Sequence, residues 1–434
     1  MIPSASPLIE RTFGPKLNLK EANLIAWGLF FALLAPSVYR GIEMQRDPGR
    51  HTPDVDFVNF YSMGRILNEY PADALYRTEV QDRVRNLIHP LAAGSYAPLP
   101  YPPMVGMFFQ PFARLQFWPA YLCWLSITLF LYVGSLVAVG ARLFPGIPLK
   151  VSLIVCIGLS YFPFLIETLA SGQISALGFF AFSMAFLLED AGHPFLSGLT
   201  LSLCSYKPTL LLLFLPMMAV TRRYKNLAGL MAGATTMFLF TVAVYGIRLW
   251  DAWVKLFLHF GGVSAGVHTN SILDLPKYVD LLAFSALLPY GRSGPALTLL
   301  GICAAGAIFL VVDAWRKGGN AAETRRLVWA TTLVWTLLLN VYAPIWDTIL
   351  AVLSGVLSVQ ALKTVPAHLL RRCLGCLWTL TFLVSWVATA TAARFQIQPM
   401  TLLLAVIGVL QIAALRWLVR TRSEKPVVVR ATGG

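Results

Sequence analysis

Two carboxylates stand close together in the sequence His51-Thr-Pro-Asp54-Val-Asp56-Phe57. Residues i and i+2 point to the same side of an extended chain, but to nearly opposite sides of a helix. Phe57 begins a helical pattern, so Asp56 is expected at or beside the helix start, where an acidic side chain can simply cap the first turn. The alternative is chemical, because a carboxylate at the edge of an apolar region can act as a general base and take a proton from a hydroxyl group.

Lys207 stands within the apolar run Leu199–Leu215, immediately before Pro208. A lysine at the centre of a bilayer costs roughly 2.5–3.5 kcal/mol on insertion scales, and an ionisable residue there is treated as a functional site by default. Its ammonium group can bind a phosphate. The other interpretation is a lysine at a helix end, whose aliphatic chain lets the ammonium group reach the surface.

Three more polar residues stand at the ends of apolar segments, namely Glu167, Gln173 and Asp347. Glu167 is expected either to pair with Lys207 or to face the membrane interface. Gln173 can hydrogen-bond the hydroxyl groups of a substrate or simply be solvated. Asp347 is favourable at a helix N-terminus without any function. The sequence leaves these alternatives open.

The composition indicates which elements must position these residues. The residues AVILMFWYC make up 57% of the chain, charged residues only 12%, and the mean hydropathy is +0.68. Globular domains carry roughly 25% charged residues, so this chain has too few charges to cover a water-facing surface. We therefore expect an all-α polytopic membrane protein, with residues 1–434 as a single integral-membrane domain. The six cysteines fall in apolar segments as buried small hydrophobes, and no metal or cofactor is expected.

The apolar segments predict about twelve transmembrane helices, since a bilayer crossing needs roughly 20 residues. The predicted spans are Leu24–Tyr39, Trp118–Gly140, Val151–Thr168, Ile174–Leu188, Phe195–Tyr206, Thr209–Val220, Leu227–Leu249, Gly294–Trp315, Leu327–Tyr342, Ile345–Leu362, Leu374–Ala392 and Met400–Leu418. An even number of crossings puts both termini on one side of the membrane.

The formal net charge of +14 follows the loops between these spans. With residues 1–23 and the tail 419–434 in the cytoplasm, nearly all of the basic excess falls on the cytoplasmic side, as the positive-inside rule requires. The basic balance is therefore a topology signal, and no nucleic-acid partner is expected. Residues 40–117 and 250–293 become two outer loops.

The outer loop 40–117 is predicted to carry two amphipathic helices of the kind that lie in the membrane interface. The first ends at Pro71, and its apolar stripe comprises Phe57, Phe60, Tyr61, Gly64 and Leu67. The second has an apolar stripe of Val80, Val84, Leu87 and Ile88, with a water-facing side of Gln81, Asp82, Arg83, Arg85 and Asn86. The segment Pro102–Leu115, about 14 residues, is too short for a crossing and is expected to be a half-inserted or interfacial helix.

Several motifs on the predicted outer face, taken in order, resemble glycosyltransferase family 87. They are Asp56-Phe57 with Tyr61, Leu75-Tyr76, Tyr101-Pro102-Pro103, Gly172-Gln173, Lys207-Pro208, Asn270-Ser271 and Trp346-Asp347. The likeness runs over most of Arg40–Leu350. Where some members carry histidines after a late motif, this chain has Thr348-Ile349-Leu350.

The resemblance implies a GT-C fold and an enzyme that transfers a sugar from a polyprenyl-phosphate donor to a lipid or glycan acceptor. The reaction is expected to invert the anomeric centre without a metal, and mannose is the sugar that family precedent favours. Asp56 matches the catalytic aspartate, with Asp54 as a second acid. Lys207 is expected to bind the donor phosphate. Substrate-binding roles are expected for Tyr101, Gln173, Asn270 and Asp347.

The main alternative is a multi-span transporter or flippase of a lipid-linked or small polar substrate. Transporters often contain inverted repeats and paired broken helices, whereas no internal repeat is visible here. A second alternative is an O-antigen polymerase or ligase, but those usually place their large outer loop late in the chain. The transferase is expected in the plasma (inner) membrane, with its active site on the periplasmic or extracellular face and membrane lipids around it.

Overall fold

The computed structural model describes residues 18–46, 56–88, 98–266, 274–364 and 368–423. These residues are almost entirely helical, with one isolated antiparallel bridge, Tyr278–Pro344, among them. The expectation of an all-α protein is confirmed. The α-helices are α1 (Leu19–Arg46), α2 (Phe57–Glu69), α3 (Thr78–Ile88), α4 (Pro103–Phe109), α5 (Phe117–Leu143), α6 (Pro148–Leu159), α7 (Ser175–Asp190), α8 (Pro194–Leu201), α9 (Phe214–Val220), α10 (Tyr224–Tyr245), α11 (Ile247–Gly266), α12 (Leu281–Leu287), α13 (Gly294–Gly318), α14 (Ala322–Leu338), α15 (Ile349–Ala361), α16 (His368–Ser385), α17 (Ala388–Phe395) and α18 (Pro399–Ser423).

Five helices in the described part of the chain are long and apolar enough to cross a membrane, in α1, α5, α10, α13 and α18. Two bent pairs raise the number to seven: α6 with the π-helix Pro163–Ala170, bent by 61°, and α16 with α17, bent by 74°. The protein is therefore a polytopic membrane protein, but the expected number of about twelve spans is not confirmed. Helices α7 and α14 have only 16 and 17 residues, which gives about 25 Å each against a hydrocarbon core of roughly 30 Å.

The predicted spans Phe195–Tyr206 and Thr209–Val220 form a hairpin of short helices that breaks at Lys207. Helix α8 continues into the 3₁₀ segment Ser202–Tyr206, and Pro208–Leu211 leads into α9. The backbone of Lys207 is not helical (φ −140°, ψ 80°), since a residue that precedes proline is disfavoured in the helical region. Each limb measures about 20 Å, so both are shorter than full-length spans.

Helix α8 packs tightly against α10 because glycines face each other across the contact. A Cβ atom on Gly198 would overlap the backbone of Asn226, and one on Gly229 would overlap the backbone of Phe195. Such small-residue contacts let membrane helices approach closely. They hold one limb of the hairpin, and with it the break at Lys207, in a fixed place in the bundle.

A buried ionic network ties the far ends of α7, the hairpin and α14 together. Glu189, at the end of α7, pairs with Arg223 and with Arg325, and the indole of Trp329 donates to it at 3.0 Å. Arg223 and Glu189 are 2% and 5% exposed. From Glu189 to Ser175 at the other end of α7 is about 21 Å along the helix axis, so the polar cluster described below lies at the opposite end of the same helices.

Residues 56–88 and 98–115, called the shelf here, pack on the start of α5. Helix α2 forms where the apolar pattern predicts it and is followed by Pro71, but it is buried on nearly all sides, rather than along one stripe. Gly64 lets it approach Phe109, because a Cβ there would overlap that backbone. Helix α4 has seven residues, which confirms that Pro102–Leu115 is too short for a crossing.

The expected water-facing side of α3 is partly wrong. Gln81 is fully buried and Arg85 is 1% exposed, whereas Leu87 is 65% exposed. The reason is that the shelf supplies polar partners: the Gln81 amide donates to the Leu75 carbonyl at 2.8 Å, and Arg85 pairs with Asp82 at 2.9 Å. A buried polar side chain is stable when its hydrogen bonds are made.

Candidate active site

Asp56 immediately precedes α2, but its side chain does not cap that helix. Its Oδ2 atom accepts a hydrogen bond from Ser171 Oγ at 2.9 Å, and the backbone N–H of Phe57 donates to the Ser171 carbonyl at 3.1 Å. The capping interpretation of Asp56 is therefore wrong. The carboxylate is instead attached to the turn that follows the π-helix Pro163–Ala170, and it is partly exposed.

Lys207, at the break of the hairpin, points into the protein and pairs with Asp347. The two side chains are 9% and 1% exposed. The other carboxylate oxygen of Asp347 accepts from Ser175 Oγ at 3.0 Å, and Lys207 Nζ lies 4.7 Å from the centre of the Tyr342 ring. Lys207 is therefore a paired, buried cation, and the interpretation of a surface-reaching lysine is wrong.

One short turn, Ser171–Ser175, holds both carboxylates. Its first residue donates to Asp56 and its last to Asp347. Gly172 has φ +74°, and a Cβ there would lie 2.8 Å from the Cβ of Phe57, so this position favours glycine on conformational and steric grounds. The turn therefore fixes the two halves of the site relative to each other.

Gln173 lies in the middle of that turn and is 3% exposed. Its side-chain Oε1 atom is buried and has no hydrogen-bond partner. A buried acceptor without a partner costs about 1–3 kcal/mol, so such an atom in a native protein calls for an explanation. A hydroxyl group of a bound substrate would satisfy it.

Tyr101 and Tyr342 lie close enough to both Asp56 and Asp347 for the two carboxylate charges to affect their pKa values. Desolvation raises the pKa of Tyr101 well above its usual range, and the charges of Asp347 and Asp56 act in the same direction. Desolvation also raises the pKa of Tyr342 to about 12, again with contributions from Asp56 and Asp347. Both phenols therefore stay protonated at neutral pH and can donate hydrogen bonds. The backbone of Tyr101 is held by Tyr76, whose hydroxyl donates to its carbonyl at 2.7 Å.

The structure thus brings together Asp56, Tyr101, Gln173, Lys207 and Asp347 among the predicted site residues. Asp54 and Asn270 lie outside the described residues. Glu167 is not the partner of Lys207, because that ammonium group pairs with Asp347. Among the described residues, no group of three or more His, Cys, Asp or Glu side chains is placed to hold a metal ion.

Three residues of the site, Ser171, Ser175 and Asp280, were not predicted from the sequence. The two serines could have been suspected from their places on either side of Gly172-Gln173, but their partners are 115 and 172 residues away. Asp280 precedes an apolar run, which predicts a helix cap. It does cap α12 through Ala283, but it also accepts from the backbone of Ala343.

These features define a membrane-embedded helical protein with a buried lysine–carboxylate pair next to a second carboxylate. The sequence profile of glycosyltransferase family 87 matches residues 99–341, which is more than half of the chain. The chain belongs to this family, so it is a membrane glycosyltransferase with a sugar donor and an acceptor. The match includes Tyr101, Gln173 and Lys207, while Asp56 and Asp347 lie outside its limits. The family favours a transferase over the transporter and polymerase interpretations.

Neither the search of curated proteins nor the search of solved structures finds a significant match.

Proposed function

We propose that this glycosyltransferase uses a polyprenyl-phosphate sugar as donor and a hydroxyl group of a lipid or glycan as acceptor. The observation that carries the proposal is that one turn, Ser171–Ser175, holds both the Asp56 carboxylate and the carboxylate of Asp347, which pairs with the buried cation Lys207. The reaction is proposed to invert the anomeric centre, to need no metal or cofactor, and to use mannose. Tyr101, Gln173 and Asn270 are assigned to substrate binding.

The proposed step balances as a single displacement. The acceptor oxygen attacks the anomeric carbon while its proton passes to Asp56, and the bond between that carbon and the phosphate oxygen breaks. Polyprenyl phosphate leaves with the electron pair. Holding the acceptor and the anomeric carbon in line, with a base on the acceptor side, supplies the orientation that such a reaction needs. Asp54 is proposed as a second acid near Asp56.

Lys207 is proposed to bind the donor phosphate by exchanging part of its contact with Asp347. Without donor, Asp347 keeps the ammonium group paired and oriented, with Ser175 fixing the carboxylate. When the donor binds, a phosphate oxygen would accept a hydrogen bond from one of the three N–H groups of the ammonium. A cation already in place where charge develops on the leaving phosphate lowers the barrier without reorganisation.

An apolar groove supports a lipid-linked donor. It has a volume of about 280 Å³ and lies between α6, α15 and α16, lined among others by Ile157, Gly355, Trp378 and Phe382. Along α15 it reaches from Ala351 to Val359, about 12 Å. Tyr161 also lines the groove, and its hydroxyl donates a hydrogen bond to Thr348, which directly follows Asp347. We propose that the groove receives the first isoprene units of the donor.

The proposal includes a GT-C-type fold of about twelve membrane segments, with α8 and α9 as two short ones. An even number puts both termini in the cytoplasm and the shelf outside, because the basic loops then face the cytoplasm. The enzyme would work at the outer face of the plasma membrane.

The experiment is a donor panel. Purified protein in liposomes is incubated with polyprenyl-phosphate mannose, glucose, galactose and arabinose, and with GDP-mannose as the nucleotide-sugar control. Consumption of one polyprenyl donor, with release of polyprenyl phosphate, supports the proposal. Exclusive use of the nucleotide sugar, or no consumption with an acceptor-containing membrane extract, would contradict it.

A further inference from the structure

Asp280 immediately precedes α12 and is hydrogen-bonded to Ala343, in the segment that carries Tyr342 and Asp347. We propose that Asp280 is a positioning residue: it clamps the segment Tyr342–Asp347 so that Lys207 is held for the donor phosphate. The inference rests on the proposed function, because it assigns Asp280 to the phosphate half of the same site.

The clamp consists of backbone hydrogen bonds received by one buried carboxylate. Asp280 is 2% exposed. One oxygen accepts from the N–H of Ala283 at 2.8 Å, and the other accepts from the N–H of Ala343 at 3.0 Å. The N–H of Val279 returns a bond to the Ala343 carbonyl at 2.9 Å, so the two segments are joined in both directions.

The clamped segment leads directly to Lys207. Tyr342, next to Ala343, places its ring 4.7 Å from Lys207 Nζ, and its own ring lies 5.0 Å from that of Tyr278. On the other side, the N–H of Asp347 donates to the Pro344 carbonyl at 3.0 Å. Two contacts of the ammonium group, the ring and the carboxylate, are therefore carried by one segment that Asp280 holds.

The segment that precedes Asp280 is hydrogen-bonded to the start of the membrane helix α18. Thr401 Oγ1, near the start of α18, donates to the Val279 carbonyl at 2.8 Å, and Gln398 donates to the Pro276 carbonyl at 2.5 Å. Residues 276–280 thus lie between α18 and the clamped segment. A local change in Asp280 would be transmitted to Tyr342 and Asp347, rather than absorbed by a free loop.

The pKa of Asp280 is consistent with a buried carboxylate close to Lys207. Burial raises the pKa of Asp280 to about 6, while the hydrogen bonds from Ala283 and Ala343 and the charge of Lys207 act in the opposite direction. Lys207 therefore interacts with Asp280 as well as with Asp347.

The test is Asp280→Asn, measured in the donor assay. Asparagine has one acceptor oxygen where aspartate has two, and it is a good helix cap, so it can keep the bond from Ala283 but loses the bond from Ala343. We expect the donor KM to rise about tenfold, the size of one lost hydrogen bond to a charged group. The KM of the acceptor should stay within about threefold, because the Asp56 half is untouched, while kcat should fall as well, since Lys207 also stabilises the leaving phosphate.

Thr401→Val is the second variant, since it weakens the support without touching the carboxylate, and Thr298→Val on α13 is its matched control. Thr298 donates only within its own helix, to the Gly294 carbonyl. We expect Thr401→Val to raise the donor KM in the same sense and Thr298→Val to leave it unchanged. If Asp280→Asn does not fold, Thr401→Val decides.

An unchanged donor KM in a folded Asp280→Asn protein overturns the inference and leaves the proposed function intact. An equal fall in kcat for every substrate with no change in KM also overturns it, because that is the signature of a smaller folded fraction. Failure of the wild type to use any polyprenyl-phosphate donor removes both proposals.

Discussion

Replacing Lys207 with methionine would leave the carboxylate of Asp347 buried without its cation. The Asp347 side chain is 1% exposed and keeps only the bond from Ser175 among its described partners. Removing one member of a buried ion pair typically costs about 3–5 kcal/mol, whereas replacing both members by neutral residues is often close to neutral. We therefore expect Lys207→Met to destabilise strongly, and the double variant Lys207→Met/Asp347→Asn to recover most of the loss.

The assay is thermal unfolding in detergent, followed by sugar transfer on the folded fraction. The double variant should unfold close to the wild type but should remain without transfer, because no cation is left to bind the donor phosphate. The control pair is Lys255 with Asp251, which is 74% and 61% exposed and contributes little to stability. A double variant as unstable as Lys207→Met, or one that transfers sugar normally, would refute this account of Lys207.

Three further predictions concern the neighbouring residues. Gly172→Ala should lower stability by about 1–3 kcal/mol, since φ is +74° and the new Cβ would press on Phe57; Gly301→Ala, at an open position of α13, is the control in the same unfolding assay. Gln173→Leu should keep or raise stability, because it removes the unpartnered Oε1, yet it should raise a substrate KM about tenfold; an unchanged KM would contradict the binding role. Burial raises the pKa of Asp280 from 3.8 to about 6 in the folded protein, so its contribution to stability is fully present below pH 3.8 and falls by up to about 3 kcal/mol as the pH rises to 6. The free energy of unfolding of the wild type should fall across this window relative to that of Asp280→Asn, and the same pH dependence in both proteins would contradict the shifted pKa.

The local elements of the shelf could be predicted from the sequence, because they depend on near neighbours. The apolar repeat from Phe57 and the stop at Pro71 predict α2, and Pro103 predicts the start of α4. The burial of Arg85 could not be predicted, because it depends partly on packing against α2, where Asn59 accepts a hydrogen bond from Arg85. Periodicity indicates which residues share a face, but not which face finds polar partners.

The site was predicted as a set of residue types and not as a set of contacts. Lys207 was suspected because a cation in an apolar run is costly, but its partner Asp347 is 140 residues away, and the sequence suggested Glu167 instead. The expected number of about twelve spans is not confirmed by the long helices for a related reason. Hydropathy measures how apolar a window is, while the break at Lys207 and the bend before Pro163 depend on backbone geometry.

The most direct test of the central claim is the rate of transfer by Asp56→Asn with the donor that the panel identifies. The variant should fold normally and keep the donor KM, while kcat falls by roughly 10²–10⁴-fold, the usual contribution of a general base. Asp73→Asn is the matched control, because Asp73 is an exposed shelf carboxylate paired with Arg77, and it should transfer at the wild-type rate. A kcat of Asp56→Asn close to that of the wild type would contradict the assignment of Asp56 as the base.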